Sequence, residues 1–341
     1  MELALYCPQL GFYERKKDSV GRRGDFYTSV STGSLFGELL AFQFAEWWGT
    51  EFRSQNSEVR IVEAGAHDGK LAANILHWLR EHRPELFVRL DYVIHEPSET
   101  RRAWQAETLR EFTGQVSWLD HSSRITHHAP RTGIFFSNEL FDAFPVHRLG
   151  WDAREQKWFE WGVACDGERF VWTRLPLSIF NFQLSTFPAL LKALPDGYTM
   201  EVCPAAESFY RTAAENLTVG KLVTIDYGHG APDEVFAPGR LHGTLRAYRD
   251  HRVSDDLLNH VGEQDLTAHV HFPALQTVGE QAGLRTELFQ TQSQFLTAIA
   301  ARVWKKPAAF AAWTPALTRQ FQTLTHPEHL GRGFRVLVQS R

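Results

Sequence analysis

The stretch Ile61-Val62-Glu63-Ala64-Gly65-Ala66-His67-Asp68-Gly69 decides the fold class of this 341-residue chain. A short apolar run from Val59 to Glu63 enters this turn, and the segment from Leu71 to Leu79 that follows it has helical periodicity. A second strand candidate, Leu90 to His95, comes next. Strand, turn, helix and strand in this order are typical of a parallel βαβ unit, so the sequence predicts a doubly wound α/β domain.

Similar segments lie on both sides of this unit. Leu35 to Trp48 has apolar residues at helical spacing and predicts a helix, whereas the opening through about Thr32 is predicted to be loop. The further strand candidates are Gln115 to Leu119, Gly133 to Ser137, Lys221 to Ile225 and Phe334 to Val338. These strands extend the predicted sheet.

Two insertions into the core are predicted. Trp151 to Leu175 alternates apolar and polar residues around Asp166-Gly167, which predicts a β-hairpin. The segment from His229 to about Gln264 is rich in Gly, Pro and His, and we predict a long ordered loop near the active site. We therefore divide the chain into an N-terminal loop and helical cap (1–54), a first part of the core (55–150), an inserted hairpin and helical subdomain (151–214), and a second part of the core (215–341), with the active-site loop at about 229–264.

Composition excludes several classes of function. The chain is 43% hydrophobic and 22% charged, as a globular protein is. Its net charge is −4 and it has no large block of Lys or Arg, which argues against a nucleic-acid partner. The three cysteines form no CxxC pair, which favours a reducing compartment. The sequence predicts no signal peptide, no membrane span and no metal site, since the 16 histidines lack acids or cysteines at ligand spacing.

The turn after the first strand predicts which cofactor binds. It is similar to the dinucleotide fingerprint G-x-G-x-x-G, but His67 occupies the position where backbone approaches a pyrophosphate, and the acids Glu63 and Asp68 would repel one. They suit a ligand with an ammonium and a sulfonium, as S-adenosylmethionine has. Gly65 would let backbone approach its methionine end, and Gly69 completes the turn. The alternative is a tight turn with an Asp helix cap.

Acidic and aromatic residues at the next strand ends extend this prediction. Glu96 ends the second strand candidate, where a carboxylate can accept both ribose hydroxyls of the cofactor. An exposed strand-end acid is the alternative. Trp118 and Asp120, near the end of the third strand, are candidates to hold the adenine, although a Trp at a strand end also suits the core.

The acceptor side is predicted after the fourth strand, in Ser137-Asn138-Glu139-Leu140-Phe141-Asp142. If a helical turn begins here, Glu139 and Asp142 share one face. Together with the amide of Asn138, they could hold a cationic nitrogen substrate. The alternative is a capping cluster at a strand–helix junction.

Motifs spread over nearly the whole chain resemble the MidA family of methyltransferases, which includes the mitochondrial complex I assembly factor. They are Ala4-Leu5-Tyr6, Gly11-Phe12-Tyr13, Gly24-Asp25-Phe26-Tyr27-Thr28-Ser29, Phe36-Gly37-Glu38, Asn138-Glu139 with Asp142 and Pro145-Val146, Glu201-Val202-Cys203-Pro204, Asp226-Tyr227-Gly228, Gly243-Thr244-Leu245-Arg246-Ala247-Tyr248, and Gly262 with Gln264-Asp265-Leu266-Thr267-Ala268-His269-Val270. The resemblance implies a class I S-adenosylmethionine-dependent methyltransferase fold, Rossmann-like with a final antiparallel strand, and arginine methylation for the mitochondrial member.

The chain departs from the family pattern E-x-G-P-G-x-G at the cofactor turn, where Ala66 and His67 replace Pro and Gly, and His271 replaces a family Asp. Glu63, Gly65 and Gly69 remain, so we expect cofactor binding with altered affinity. We also expect the segment Gly24 to Ser29, with Gly24, Thr28 and Ser29 as cofactor contacts, to close over the cofactor, because closing lids position reactants and exclude water.

Three functions remain open: methylation of a protein arginine, methylation of a small-molecule amine, and a non-catalytic assembly factor. Whether the protein is a monomer or a homodimer is also open. The chain begins at the family's first motif without a transit segment, which predicts a bacterial, cytoplasmic member.

Overall fold

The computed structural model describes residues 1–15, 28–51, 59–119, 132–178, 193–250, 252–306, 310 and 312–341. In chain order the strands are β1 (Val59–Ala64), β2 (Leu90–His95), β3 (Val116–Leu119), β4 (Thr132–Asn138), β5 (His147–Asp152), β6 (Lys157–Asp166), β7 (Arg169–Leu175), β8 (Thr199–Val202), β9 (Val219–His229), β10 (Arg246–Arg249), β11 (Arg252–Ser254), β12 (Asp265–Thr267), β13 (Val270–His271), β14 (Arg285–Thr291) and β15 (Phe334–Ser340). The α-helices are α1 (Glu2–Tyr6), α2 (Phe12–Arg15), α3 (Leu35–Glu51), α4 (Lys70–His82), α5 (Pro84–Phe87), α6 (Glu99–Thr108), α7 (Pro204–Asn216), α8 (Phe272–Gln281), α9 (Gln292–Trp304) and α10 (Pro315–Thr325).

The largest sheet has eight strands in the order β14-β15-β9-β4-β1-β2-β3, with β13 beside β9. Strands β3, β2, β1, β4 and β9 are parallel, whereas β15 runs antiparallel to both of its neighbours. The order of the strands reverses at β1, which lies between β2 and β4. Such a switch point leaves a crevice at the carboxyl ends of the strands. The predicted doubly wound sheet with a final antiparallel strand is confirmed.

Both faces of this sheet are covered by helices. Along β1, Ile61 packs into a core with α3, α4 and α9, and the next residue, Val62, packs into a second core with α7 and α8. Successive side chains of a strand point to opposite faces, so a strand covered on both sides is apolar at adjacent positions. This explains why the run from Val59 to Ala64 could be identified as a parallel strand from its composition.

Two segments that were expected to be loop contain regular structure. The opening forms α1 and α2, because Leu5 and Phe12 bury their side chains against Leu245 and Leu266. The segment 229–264 contains β10, β11 and two short 3₁₀ turns, Pro232–Phe236 and Pro238–Arg240. Strand β10 pairs with β11 and β12 in a small antiparallel sheet. Elements of three to five residues are too short to show a clear period in sequence.

The predicted hairpin belongs to a second sheet. Strands β6 and β7 are joined at Asp166-Gly167, and with β5 and β8 they form a four-stranded antiparallel sheet in the order β7-β6-β5-β8. Gly167 has a φ of +60°, a left-handed conformation that glycine adopts readily. The division of the chain at 54, 150 and 214 stays a prediction.

Within the described ranges, no helix is long and apolar enough to cross a membrane.

Candidate functional site

A cavity of about 1050 Å³ opens at the carboxyl ends of β1, β2 and β4. Its wall includes the turn after β1, the ends of β2 and β4, and parts of α1, α2 and α7. Of the predicted site residues, those that line it are Thr28, Glu63, Gly65, Glu96, Asn138, Glu139 and Asp142. The strand ends therefore bring the two predicted halves of the site into one cavity, at the place where open α/β sheets bind ligands.

The turn after β1 uses left-handed backbone at three positions: Gly65 has a φ of +76°, His67 of +47° and Gly69 of +83°. A Cβ added to Gly65 would lie 2.7 Å from Cδ1 of Leu140, so a side chain there would have to displace the end of Leu140 and adopt a strained φ. Gly69 precedes α4 and does not line the cavity. His67 adopts a backbone conformation that favours glycine and places its imidazole on the cavity wall.

The two acids of this turn have different environments. Burial raises the pKa of Glu63 to about 7, although a hydrogen bond that the Tyr92 hydroxyl donates over 2.6 Å opposes the shift. Burial also acts on Asp68, but hydrogen bonds from His67 and Lys70 outweigh it and lower the pKa of Asp68 to about 2. Lys70 contacts Asp68 at 2.6 Å through Nζ. Asp68 thus matches the helix-start alternative, whereas Glu63 can gain from a cationic ligand.

Glu96 is held firmly at the end of β2. Only 2% of its surface is exposed. Arg101 contacts Oε1 through Nε and Nη2, both at 2.9 Å, and the backbone N–H of Ser98 donates to the same oxygen over 3.0 Å. Gln105 donates to Oε2 over 3.2 Å and to the backbone carbonyl of His67 over 3.0 Å. This network fixes the carboxylate on the cavity wall beside the glycine turn.

Three other predicted cofactor contacts are not brought to the cavity by the described structure. Trp118 lies outside the lining, and its indole N–H donates to Gln105 over 2.9 Å. Trp118 therefore contacts Gln105, which in turn donates to Glu96. Gly24 and Asp120 lie outside the described residues, as does most of the predicted segment Gly24 to Ser29.

Ser29 contacts the acceptor side. Its backbone N–H donates to Oε1 of Glu139 over 2.9 Å, and its hydroxyl donates to Gln292 over 3.2 Å. The predicted cofactor contact at Ser29 stays a prediction.

The acceptor side differs from the predicted helical face. Glu139 has a left-handed φ of +50°, and the helical turn begins only at Phe141. Glu139 and Asp142 therefore do not share one helical face, although both line the cavity. Asn138 donates from Nδ2 to Glu139 over 3.1 Å. Among the described residues, the buried atoms Oδ1 of Asn138 and Oδ1 of Asp142 have no hydrogen-bond partner.

Burial controls the charge of these acids. It raises the pKa of Glu139 to about 8, and the nearby charge of Asp142 adds to the shift, whereas the N–H of Ser29 opposes it. Burial also raises the pKa of Asp142, although a hydrogen bond from Tyr227 opposes the change. No basic side chain of the described residues is among the groups that shift either pKa. A cation entering the cavity would favour their ionised forms.

Asp226 at β9 supports this corner and was not among the predicted site residues. Its Oδ2 accepts from the backbone N–H groups of Leu140, Phe141 and Asp142 at 3.2, 3.0 and 3.4 Å. Burial, together with the charge of Asp142, raises its pKa well above the ordinary value. The motif Asp226-Tyr227-Gly228 was the available signal, but only the pairing of β4 with β9 shows what it contacts.

Tyr6 and Tyr13 of the N-terminal helices also line the cavity and were not predicted. Tyr6 donates to the backbone carbonyl of Ala143 over 2.8 Å, and Tyr13 donates to Asp265 over 2.8 Å. Both bonds join residues more than a hundred positions apart. Sequence periodicity carries no information on such contacts.

The residues fit S-adenosylmethionine. The cavity is large enough for a nucleoside-sized ligand. Gly65 permits close backbone approach, Glu63 is a buried acid able to pair with an ammonium, and Glu96 presents a fixed carboxylate beside the turn. Within the described ranges, no group of three or more His, Cys, Asp or Glu could hold a metal ion.

Comparisons with known proteins agree with this fit. Residues 39–290 match a family model described as "Putative S-adenosyl-L-methionine-dependent methyltransferase". The zebrafish (Danio rerio) protein arginine methyltransferase NDUFAF7, mitochondrial, is 29% identical over 82% of this chain and 68% of its own length. The rat (Rattus norvegicus) protein of the same name is 27% identical over 98% of this chain and 78% of its own length.

A crystal structure of a Burkholderia thailandensis protein bound to S-adenosyl-homocysteine is similar to this chain over the full length of this chain. It has a TM-score of 0.83 and 30% sequence identity, covering 100% of this chain and 86% of that one. The predicted cofactor is therefore confirmed as S-adenosylmethionine. The predicted cytoplasmic location is wrong on these comparisons, because the similar curated proteins are named as mitochondrial.

Proposed function

Since this chain belongs to the family of S-adenosyl-L-methionine-dependent methyltransferases whose model it matches, we propose that it methylates a guanidinium nitrogen of a protein arginine. The similar curated proteins carry the name protein arginine methyltransferase, which supports this choice of acceptor. The observation that carries the proposal is a pair of acids on the cavity wall, the half-buried Glu139 and the buried Asp142, whose pKa values no basic side chain of the described residues shifts.

Burial of a carboxylate without a cation is costly, so it raises the pKa of both groups and makes their ionised forms harder to form than in water. A guanidinium would supply the missing charge and can donate two parallel hydrogen bonds to a carboxylate. The free Oδ1 of Asn138 can accept from the same group and orient it. An arginine side chain therefore satisfies the polar atoms that the described residues leave without partners.

A guanidinium is a poor nucleophile because its charge is delocalised and its pKa exceeds about 12. When bound, S-adenosylmethionine supplies an electrophilic methyl group on a sulfonium. Glu139 and Asp142 would localise the positive charge away from the attacking nitrogen. As the N–C bond forms and the S–C bond breaks, that nitrogen loses one proton, and a carboxylate of this pair would accept it.

We place the cofactor against Glu63, Gly65 and Glu96, which line the cavity, with Gly69 shaping the turn behind them. Thr28 and Ser29 are neighbours of the acceptor side. Thr28 lines the cavity, and the Ser29 N–H orients Glu139, so this corner can hold acceptor and cofactor in a fixed relation.

Transfer of label tests the acceptor. The protein is incubated with S-adenosylmethionine labelled in the methyl group and a lysate of the source organism, and the labelled proteins are hydrolysed to amino acids. We expect labelled methylarginine. Label found only in small molecules would support the alternative of a small-amine methyltransferase, and binding without transfer would support a non-catalytic assembly factor.

A further inference from the structure

Arg101 connects Glu96, the residue predicted to accept the ribose hydroxyls, to the N-terminal helical pair. By this name we mean α1 and α2 with their connection, residues 1–15. Its side chain is 10% exposed. Besides its two contacts with Glu96, it lies 3.7 Å from Glu14. Its guanidinium also stands over the rings of Tyr6 and Tyr13, at 5.8 and 5.9 Å from their centroids. One cation thus contacts both the end of β2 and the N-terminal helical pair.

The two oxygens of Glu96 are used unequally. Oε1 receives the two Arg101 contacts and the Ser98 N–H, whereas Oε2 receives, from the described residues, only the amide of Gln105. A carboxylate offers about four acceptor positions, two on each oxygen. Oε1 is therefore saturated, and Oε2 keeps capacity for a hydroxyl donor. Because Arg101 binds Oε1, Oε2 is the oxygen that retains an acceptor position for a ligand.

The N-terminal helical pair contacts Ser98 and Arg101 through Glu14. Oε2 of Glu14 accepts from the Ser98 hydroxyl over 2.7 Å, and that hydroxyl also accepts from the backbone N–H of Arg101 over 3.2 Å. Burial is the largest single influence on the Arg101 guanidinium and lowers its pKa. Glu96 and Glu14 act in the opposite direction, and the pKa lies above its ordinary value. The charge of Arg101 is thus shared between the acid of the cofactor site and an acid of the N-terminal helices.

We propose that Arg101 is a positioning residue that turns Oε2 of Glu96 toward the cofactor ribose, and that Glu14 makes the N-terminal helical pair part of the cofactor site. This inference rests on the proposed role of Glu96. Arginine suits the task because its planar fork contacts Glu96 through two nitrogens, which the single ammonium of lysine cannot do.

Two ligands separate this role from a general effect on the fold. Calorimetry compares S-adenosylhomocysteine with its analogue lacking both ribose hydroxyls. Arg101→Met should weaken S-adenosylhomocysteine binding by about tenfold, the loss expected for a misplaced hydrogen bond to a charged group. The analogue should lose about twofold or less, because it makes no bond to Glu96. Arg101→Lys should fall between the wild type and Arg101→Met, and Glu14→Gln should weaken S-adenosylhomocysteine several-fold with the analogue unaffected.

Arg80→Met is the matched control. Arg80 also pairs with a glutamate, Glu111 at 2.7 Å, and stands over an aromatic ring, Phe112 at 4.7 Å, but it lies outside the cavity lining. It should bind both ligands as the wild type does. Thermal unfolding of each protein identifies a variant that fails to fold, and Arg101→Lys then carries the test because it keeps the buried charge.

Equal losses for the two ligands in Arg101→Lys and Arg101→Met would overturn the positioning role. A Glu14→Gln protein that binds S-adenosylhomocysteine with wild-type affinity would overturn the role of the N-terminal helical pair. If the wild type binds neither ligand, the proposed function itself fails. If the wild type binds S-adenosylhomocysteine more tightly than the analogue and the variants keep the same difference, only the positioning role fails.

Discussion

At the scale of single residues, burial decides what each acid of the site can do. Glu96 is paired with Arg101 and Gln105, and Asp68 is paired with Lys70. Glu139 is half-buried beside Asn138, and no basic side chain of the described residues shifts its pKa. The same residue types therefore have three different uses. A paired carboxylate can be a fixed acceptor or a helix-start acid, and an unpaired one suits a cationic ligand.

Glu96→Ala tests the fixed acceptor. It should weaken S-adenosylhomocysteine binding by roughly 1.5–3 kcal/mol, the range for hydrogen bonds to a charged group. Calorimetry measures the loss. Glu85→Ala is a suitable control, because Glu85 is an exposed acid paired with Arg83 outside the cavity lining. Unchanged affinity in the Glu96 variant would remove this residue from the cofactor site.

The raised pKa of Glu139 predicts opposite pH trends for stability and for acceptor binding. Because the pKa rises from the usual 4.5 to about 8 in the folded protein, the folded state holds this proton more tightly than the unfolded state. Its contribution to stability is full below the unfolded pKa of about 4.5 and is lost as the pH rises toward the folded pKa. Binding of a cationic acceptor should strengthen over the same range.

Thermal unfolding of the ligand-free protein checks the first trend, and affinity for an arginine peptide checks the second. Glu139→Gln should reduce both pH dependences, since an amide does not titrate. If the stability of ligand-free Glu139→Gln falls between these two pKa values as strongly as that of the wild type, the pH dependence belongs to other groups.

At the scale of elements, the turn between β1 and α4 combines two kinds of left-handed residue. A side chain at Gly65 would have to displace the end of Leu140, whereas His67 already carries one at a left-handed φ. Backbone of this kind costs a non-glycine residue about 1–2 kcal/mol. The turn therefore has one position where packing and φ both favour glycine and one where glycine would only relieve backbone strain.

Paired variants test this difference. Gly65→Ala should lose stability and cofactor affinity together, because the added Cβ must move Leu140 and the backbone that approaches the ligand. His67→Gly should fold at least as well as the wild type and keep cofactor affinity within a few-fold. Thermal unfolding and calorimetry on both proteins give the answer. A tolerant Gly65→Ala protein would mean that the turn moves freely.

The sequence predicts elements well where they are long and periodic, such as β1, α4 and β2, because burial on one or both faces leaves a visible pattern. It also predicts Glu63, Glu96 and Glu139, since the carboxyl ends of parallel strands meet at one edge. It misses Arg101, Asp226 and Tyr13, whose roles depend on contacts between distant segments. The adenine contact of Trp118 stays a prediction. Its indole N–H donates to Gln105, a contact that no local sequence pattern indicates.

At the scale of the whole molecule, the site is assembled from segments that are far apart in the chain. The N-terminal helices, the turn after β1, the ends of β2 and β4, and α7 all contribute to one cavity wall, and β9 supports it through Asp226. A ligand in this cavity would bind the folded protein and not the unfolded chain. Cofactor binding should therefore stabilise the whole fold.

S-adenosylhomocysteine should raise the thermal midpoint, and at a free concentration of 100 times its Kd it should add about 2.7 kcal/mol of stability. NAD at the same concentration should leave the midpoint unchanged, because Glu63 and His67 oppose a pyrophosphate at the turn. Thermal unfolding with each ligand measures both effects. Stabilisation by NAD equal to that by S-adenosylhomocysteine would contradict the ligand choice.

The central claim is that acids on the cavity wall hold a cationic acceptor for methyl transfer. Its most direct test is the single-turnover rate of Glu139→Gln on an arginine substrate identified by labelling. The substitution keeps the size of the side chain and removes its charge. We predict that the rate falls by about a hundredfold or more. The affinity for S-adenosylhomocysteine and the thermal midpoint should stay near those of the wild type. Glu207→Gln, at a half-buried acid outside the cavity lining, should retain the wild-type rate. A stable Glu139→Gln protein that transfers methyl groups at the wild-type rate would contradict the claim.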